Sequence, residues 1–229
     1  MVQLVRRALS MRKVGHAGTL DPFASGLLII CAGRAATRLI PRFMEGRKRY
    51  EATLRLGVET STQDLEGEVV ARHGVRQFTR DELVACLAGV TGEQMQVPPS
   101  YSALKHQGKP LYHYARKGIF IEKAARPVTI FRLELLEQGP DSLRFTVDCS
   151  KGTYIRTLAA DIGRALGCGG HLTALRRLAS GPFTLENAVD GGKLHDLAVA
   201  RDELLGKGMS TEEVLARLDA QAGLTLTGC

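Results

Sequence analysis

The chain has 229 residues, of which 44% are hydrophobic and 24% charged, a composition that suits one large globular domain or one domain with an appendage. It has no run of eighteen apolar residues, which excludes a membrane-spanning helix, and residues 1–7 lack the apolar region of a signal peptide. The net charge of +7 favours a polyanionic partner, and the five scattered cysteines, with no CxxC pair, read as reduced and mostly buried thiols of a cytoplasmic protein.

The charge is segregated along the chain. The first fifty residues carry ten Lys/Arg against two acids, and residues 180–229 carry eight acids against four Lys/Arg. A phosphate backbone would therefore dock on the N-terminal two thirds.

Residues 2–12 are predicted to form a short basic helix with Leu4, Val5, Leu9 and Met11 inward. From Gly15 to Gly26 the sequence GHAGTLDPFASG is a loop by composition. Pro22 biases Asp21 towards an extended backbone, and the surrounding cations favour the charged form of its carboxylate. Leu27 to Cys31 read as a fully buried strand, and 33–40 as a short helix stopped by Pro41. Tyr50, Ala52, Leu54 and Leu56 alternate with polar residues, the period of a half-buried strand ended by Gly57.

Residues 58–78 suit a polar loop with a short hairpin near Val69. Thr79 and Glu82 form a capping box that opens a helix with Leu83, Val84 and Leu87 on one side. Residues 89–100 read as a loop, and Lys109-Pro110 opens a helix through Arg116. Two alternating strands follow, one carrying Thr129, Phe131, Leu133 and Leu135, the other Leu143, Phe145, Val147 and Cys149, joined by Gly139-Pro140-Asp141 as a hairpin. Helices are predicted over 154–166 and 171–178, and a capped helix starts at Ser210. With no regular βαβ rhythm, the pattern argues for α+β with a largely antiparallel sheet.

Several residues could carry chemistry. Asp21 is either a turn aspartate bonding its own backbone or a catalytic carboxylate. Arg156 falls in the first turn of its helix, where the dipole disfavours a cation. It is either exposed and paired with Asp161 or holds the carboxylate of Asp21 in a salt bridge. Tyr50 and Tyr154 read as core-edge tyrosines or as platforms on which a base stacks beside Arg47, Lys48 and Arg49. His16 is solvated or contacts a nucleotide, and Lys105 is a surface lysine or a phosphate ligand. There is no P-loop, no GxGxxG after a strand and no HExxH. Phe23 stands where an aspartyl-phosphate enzyme would carry a second Asp, and Cys168 with His171 are too few ligands for zinc.

The segment Gly15-His16-Ala17-Gly18-Thr19-Leu20-Asp21-Pro22, with Ala24 and Gly26, closely resembles the catalytic motif of TruB-type tRNA pseudouridine-55 synthases. So do, in the same order, Lys48-Arg49-Tyr50-Glu51-Ala52, the run from Pro98 to Lys105, Gly152-Thr153-Tyr154-Ile155-Arg156-Thr157-Leu158, and the stretch from His171 to Arg177. The resemblance implies a pseudouridine synthase fold over residues 1–185, a largely antiparallel mixed sheet flanked by helices with a central RNA-binding cleft. It implies that an N-terminal segment of the family is missing, and that residues 186–229 are an acidic, partly helical extension with no PUA-type domain.

By the same resemblance, Asp21 is the catalytic aspartate, Arg156 its partner, and Tyr50 the residue that stacks on the flipped uracil and serves in removing its C5 proton. Tyr154, Leu175 and Lys105 line the pocket and His16 contacts the RNA. The implied reaction uses no cofactor or metal. The implied partner is the T stem-loop of tRNA, bound by a cytoplasmic monomer with no obligate protein partner. The alternative is a non-catalytic tRNA-binding or tRNA-folding protein of the same fold.

Overall fold

The computed structural model describes residues 1–226, with side chains through residue 221. Two compact units are present, Met1–Lys48 together with the chain from Arg177 onward, and Arg49–Arg176.

The first unit opens with helix α1 (Val2–Ala8). It is shorter than the expected 2–12, because Ser10 takes a positive φ of 51° that breaks the helical turn. Strands β1 (Val14–Ala17), β2 (Ser25–Gly26) and β3 (Ile29–Ala32) follow. The pairing of β1 with β3 is antiparallel, Val14 opposite Ala32 and Ala17 opposite Ile29. The beginning of the glycine-rich segment is thus a strand, and only 18–24 is irregular. The strand expected to be fully buried over 27–31 is corrected too, since within β3 only Cys31 is fully buried. A two-stranded ribbon needs a cover on each face, and here each cover is small. Ile29 and Cys31 pack with Phe43, Phe183 and Leu218. Ile30 and Ala32 pack with Val5, Val14 and Leu194. Burial pushes the Cys31 thiol up to about 11, so it is inert at neutral pH.

Helices α2 (Arg34–Arg38) and α3 (Ile40–Glu45) complete this stretch. Pro41 does not simply stop a helix. It sits in the first turn of α3, where its missing N–H has no helical acceptor to lose.

The second unit contains β4 (Lys48–Leu56, its first residue belonging to the other unit), the hairpin β5 (Val58–Thr60) and β6 (Val69–Arg72), and α4 (Arg80–Gly89). Ala52, Leu54 and Leu56 are buried as the alternation predicts. In α4, Leu83 and Leu87 are buried but Val84 is 48% exposed, so the inward face is narrower than expected. The expected loop over 89–100 contains β7 (Gly92–Gln96). Then come β8 (Lys105–His106), β9 (Lys109–Pro110), α5 (Leu111–Ala115), β10 (Arg126–Gln138), β11 (Ser142–Cys149), α6 (Ile155–Ala165) and β12 (Gly170–Ser180). Within this unit the strand order is β12-β4-β11-β10-β7, and β10 is antiparallel to both β11 and β7.

Two expectations fail here for identifiable reasons. In β10 the buried residues are Val128 and Ile130 and then Leu135, while Phe131 is 39% exposed. A register shift against β11 between Ile130 and Arg132 inserts one residue and reverses the facing of everything after it. The predicted helix over 171–178 is instead β12. Leu175 and Arg177 are buried and Ala174 and Arg176 exposed, the alternation of a strand; pairing beside β4 overrides the helix-forming Leu, Ala and Arg content.

Returning to the first unit, β13 (Phe183–Thr184) pairs with the end of β12. A 3-10 turn (Gly191–His195), α7 (Leu197–Lys207) and α8 (Thr211–Leu226) follow. Ser210 and Glu213 exchange the two hydrogen bonds of the expected capping box. The fold is α+β with a mostly antiparallel sheet. Among the described residues no helix is long and apolar enough to cross a membrane, and the described cysteines are free thiols. Cys229 lies outside the described residues.

The α4 capping box gives a pH-dependent prediction. The Glu82 N–H donates to Thr79 Oγ1 at 3.2 Å, and the Thr79 N–H donates to Glu82 Oε2 at 2.7 Å. The Arg76 guanidinium, and then the Thr79 N–H, hold the Glu82 carboxyl down at about 2. A depressed carboxyl contributes stability above its unfolded value, near 4.3, and loses it as pH falls towards 2. Glu82→Gln is expected to lower the melting temperature by a constant amount above pH 5. That difference should shrink steadily in thermal melts between pH 5 and pH 3.

Candidate active site

The Asp21 loop is held by main chain and by one buried cation. The Ala24 N–H donates to the Asp21 carbonyl at 2.9 Å, closing a turn around Pro22 and Phe23. Arg177, only 2% exposed, donates from Nε to the Leu27 carbonyl at 2.7 Å and from Nη2 to the Gly18 carbonyl at 2.9 Å. Its own carbonyl accepts from the Leu27 N–H at 2.8 Å. One side chain therefore ties both ends of the loop together. Satisfying backbone carbonyls with a guanidinium is what makes burial of that charge tolerable. Asp21 itself is half-buried, and His16, on β1, is exposed with Nε2 3.4 Å from Thr19 Oγ1.

Gly26 is required for this closure. It has φ of 97°, and a Cβ there would lie 2.3 Å from the Arg177 carbonyl oxygen, a main-chain atom that cannot swing aside. Gly26→Ala is expected to cost about 2 kcal/mol, from the left-handed backbone and the clash together. Denaturant unfolding of the variant checks it.

Arg156 lies in the first turn of α6 and is 3% exposed. Nη1 donates to the Thr62 carbonyl at 2.9 Å and Nη2 to the Tyr101 carbonyl at 2.8 Å. Nη1 also lies 3.5 Å from Oδ2 of Asp64, itself a buried carboxylate. The exposed reading of Arg156 is thereby overturned, and Asp161 pairs with Arg164 at 2.7 Å instead. The unfavourable helix dipole is offset by carbonyl acceptors and by Asp64. Asp64 Oδ1 accepts from Thr62 Oγ1 at 2.5 Å and from the Glu66 N–H at 3.0 Å, and this fixes the turn that presents the Thr62 carbonyl.

Tyr154 is the N-cap of α6 and half-buried. Its main chain is clamped by the buried Gln96 amide, which accepts from the Tyr154 N–H at 2.8 Å and donates to its carbonyl at 3.1 Å. Tyr50 is half-buried near the start of β4. The neighbouring Arg49 is bound to Asp148 by two hydrogen bonds of 2.6 and 2.7 Å. Leu175 is buried on β12, and Lys105 is exposed on the small β8–β9 hairpin.

Residues 6–155 match the model of the TruB family pseudouridylate synthase N-terminal domain. The chain belongs to the TruB family. Residues 156–219 match the model of the tRNA pseudouridylate synthase B C-terminal domain. Among curated relatives, the tRNA pseudouridine synthase B of Desulfotalea psychrophila is 59% identical over 194 residues, 82% of this chain and 79% of that protein. The tRNA pseudouridine synthase B of Aromatoleum aromaticum is 54% identical over 231 residues, 99% of this chain and 74% of that protein. Among solved structures, the Cbf5-Nop10-Gar1 complex matches with a TM-score of 0.63 and 29% identity over 95% of this chain, and the archaeal box H/ACA sRNP Nop10-Cbf5 complex with 0.60 and 28% over the same share. The chain spans about half of those structures' chains, 54% and 53%.

Within one unit of this TruB-family chain lie Asp21 and His16, and within the other Tyr50, Lys105, Tyr154, Arg156 and Leu175. Three supporting residues escaped sequence reasoning. Arg177 was hidden because 171–178 read as a helix. Asp64 sits in a polar loop with no motif of its own. Gln96 falls where no strand was expected.

Proposed function

We propose that this chain isomerises a uridine of the tRNA T loop, at position 55, to pseudouridine, with Asp21 as the catalytic carboxylate. The observation that carries the reading is the Asp21 loop itself, a carboxylate on a turn braced at both ends by one buried arginine in a TruB-family chain. A braced loop can hold its charged group in a fixed place relative to a bound ribose.

In the reaction the bond from N1 of uracil to C1′ breaks, the base turns, and a bond from C5 to C1′ forms. C5 gives up its proton and N1 ends with one, so atoms and electrons balance without a redox partner. The carboxylate acts at the sugar, either as a nucleophile on C1′ or as a base for a ribose proton. The uridine must leave its stack first, and the half-buried ring of Tyr50 offers a face on which it can rest. Tyr50 also serves in removing the C5 proton. In this reading Arg156 is the guanidinium partner of Asp21. Tyr154 and Leu175 shape the pocket and exclude water, so that the detached base is not lost. Lys105 and His16, both exposed, meet the RNA.

The test is incubation of the full chain with a T stem-loop RNA, followed by digestion and separation of the nucleosides. Pseudouridine approaching one per RNA is expected, with none from an RNA carrying cytidine at the target. RNA that binds and comes back unmodified would overturn the reading in favour of a tRNA-binding protein of the same fold.

A further inference from the structure

Strand β7 ends at Gln96. Val97 is followed by Pro98 and Pro99, which have no N–H with which to continue a ladder. The side chain of Gln96, 4% exposed, takes over where the main chain stops. Its Oε1 accepts from the Tyr154 N–H at 2.8 Å, and its Nε2 donates to the Tyr154 carbonyl at 3.1 Å. A planar amide presents an acceptor and a donor side by side, so Gln96 pairs with Tyr154 as a residue of a neighbouring strand would. Tyr154 has the extended backbone this needs, with φ of −95° and ψ of 110°. All of these residues belong to the second unit.

The clamp lies where α6 begins. The Tyr154 carbonyl also accepts from the Leu158 N–H at 3.1 Å, in the first turn of the helix. The peptide groups on both sides of the Tyr154 Cα are thereby held, and with them the direction of its Cα–Cβ bond. Arg156, two residues on, has anchors of its own in the Thr62 and Tyr101 carbonyls, so loss of the clamp would fall first on Tyr154. In the reaction proposed above the Tyr154 ring is a wall of the pocket that takes the everted uracil. A wall out of place lets the detached base rest away from C1′, and a misplacement of about 1 Å can cost about a hundredfold in rate.

We propose that Gln96 is a positioning residue of the isomerisation: by holding both main-chain groups of Tyr154 it aims that ring into the uracil pocket, touching neither base nor sugar itself. This role rests on the function proposed above. Two variants separate it from a contribution to stability alone. Gln96→Met keeps the length of the side chain and removes both hydrogen bonds. Gln96→Glu keeps the acceptor for the Tyr154 N–H, but its second oxygen meets the Tyr154 carbonyl, acceptor against acceptor, unless the carboxyl carries a proton and donates it. Burial and the facing carbonyl raise such a carboxyl above its ordinary value of about 4.3. Arg126, opposite on β10, is exposed, and water screens its pull. The donor is therefore restored as pH falls and lost as pH rises.

Single-turnover formation of pseudouridine at saturating T stem-loop RNA is measured for parent and variants from pH 5.5 to pH 8.5. Filter binding gives the affinity, and thermal melts at each pH establish that the proteins are folded at the assay temperature. Gln96→Met is expected to react about thirtyfold more slowly than the parent at every pH, with a dissociation constant within about threefold. Gln96→Glu should be as slow at pH 8.5 and come within about threefold of the parent at pH 5.5. If Gln96→Met does not fold, the ratio of Gln96→Glu to the parent across pH is the test. Parent-like rates in the variants would overturn the proposal. So would a ratio that stays flat with pH, or a loss confined to the dissociation constant. A parent that forms no pseudouridine overturns the assigned reaction and this role together, whereas an active parent with unaffected variants removes this role alone.

Discussion

Asp21→Asn is expected to reduce pseudouridine formation by about a thousandfold or more while T stem-loop RNA still binds. The substitution changes one oxygen to an amide nitrogen of nearly the same size. It leaves the supports of the loop in place, because the Ala24 N–H bonds the Asp21 main chain and the Arg177 contacts run to Gly18 and Leu27. An amide is neither a nucleophile nor a useful base at neutral pH, so both routes open to the carboxylate are closed together. Single-turnover assays at saturating RNA check the rate, filter binding the affinity, and a thermal melt the fold. Loss of rate together with loss of binding would instead mark Asp21 as a binding residue.

Arg156→Met is expected to destabilise the protein by about 3–5 kcal/mol, because a buried ion pair is broken from one side. The Thr62 and Tyr101 carbonyls lose a charged donor, and the Asp64 carboxylate is left buried beside an apolar chain. For a chain of this length the melting temperature should fall by roughly 10 °C or more. Asp64→Asn should cost less, since its remaining oxygen can still accept from Thr62 Oγ1 and the Glu66 N–H. The double variant should fall short of the sum, because removing the arginine relieves the need for the carboxylate. Arg156→Lys keeps the charge but cannot reach two carbonyls at once, and it should lie between wild type and the methionine variant. Denaturant unfolding of the four proteins measures the cycle.

Legibility in the sequence followed local pattern. The alternation from Leu143 to Cys149 and the Thr79–Glu82 cap are local facts, and the protein obeys them. Where the deciding term was non-local, the reading erred. Leu172, Leu175 and Arg176 have helical composition, yet they form a strand because β4 lies alongside. Phe131 shares the phase of the buried Leu135, yet the inward positions up to the shift at Ile130 are Val128 and Ile130, and only beyond it does that phase turn inward. The loop of Asp21 was legible from its glycines and proline, and the partner of its main chain was not. Arg177 is 156 residues further on, and nothing in its own neighbourhood signals that it is buried. Arg156 was legible as a cation in an unfavourable place. Its carbonyl and carboxylate acceptors come from a loop and a turn more than fifty residues upstream.

The most direct measurement on the central claim follows the hydrogen on C5. A T stem-loop RNA carrying tritium at C5 of its uridines is mixed with the full chain, and the tritium released to water is counted. The account predicts release from the target uridine up to one equivalent per RNA, abolished by Asp21→Asn. RNA that is bound yet keeps all of its tritium would contradict it.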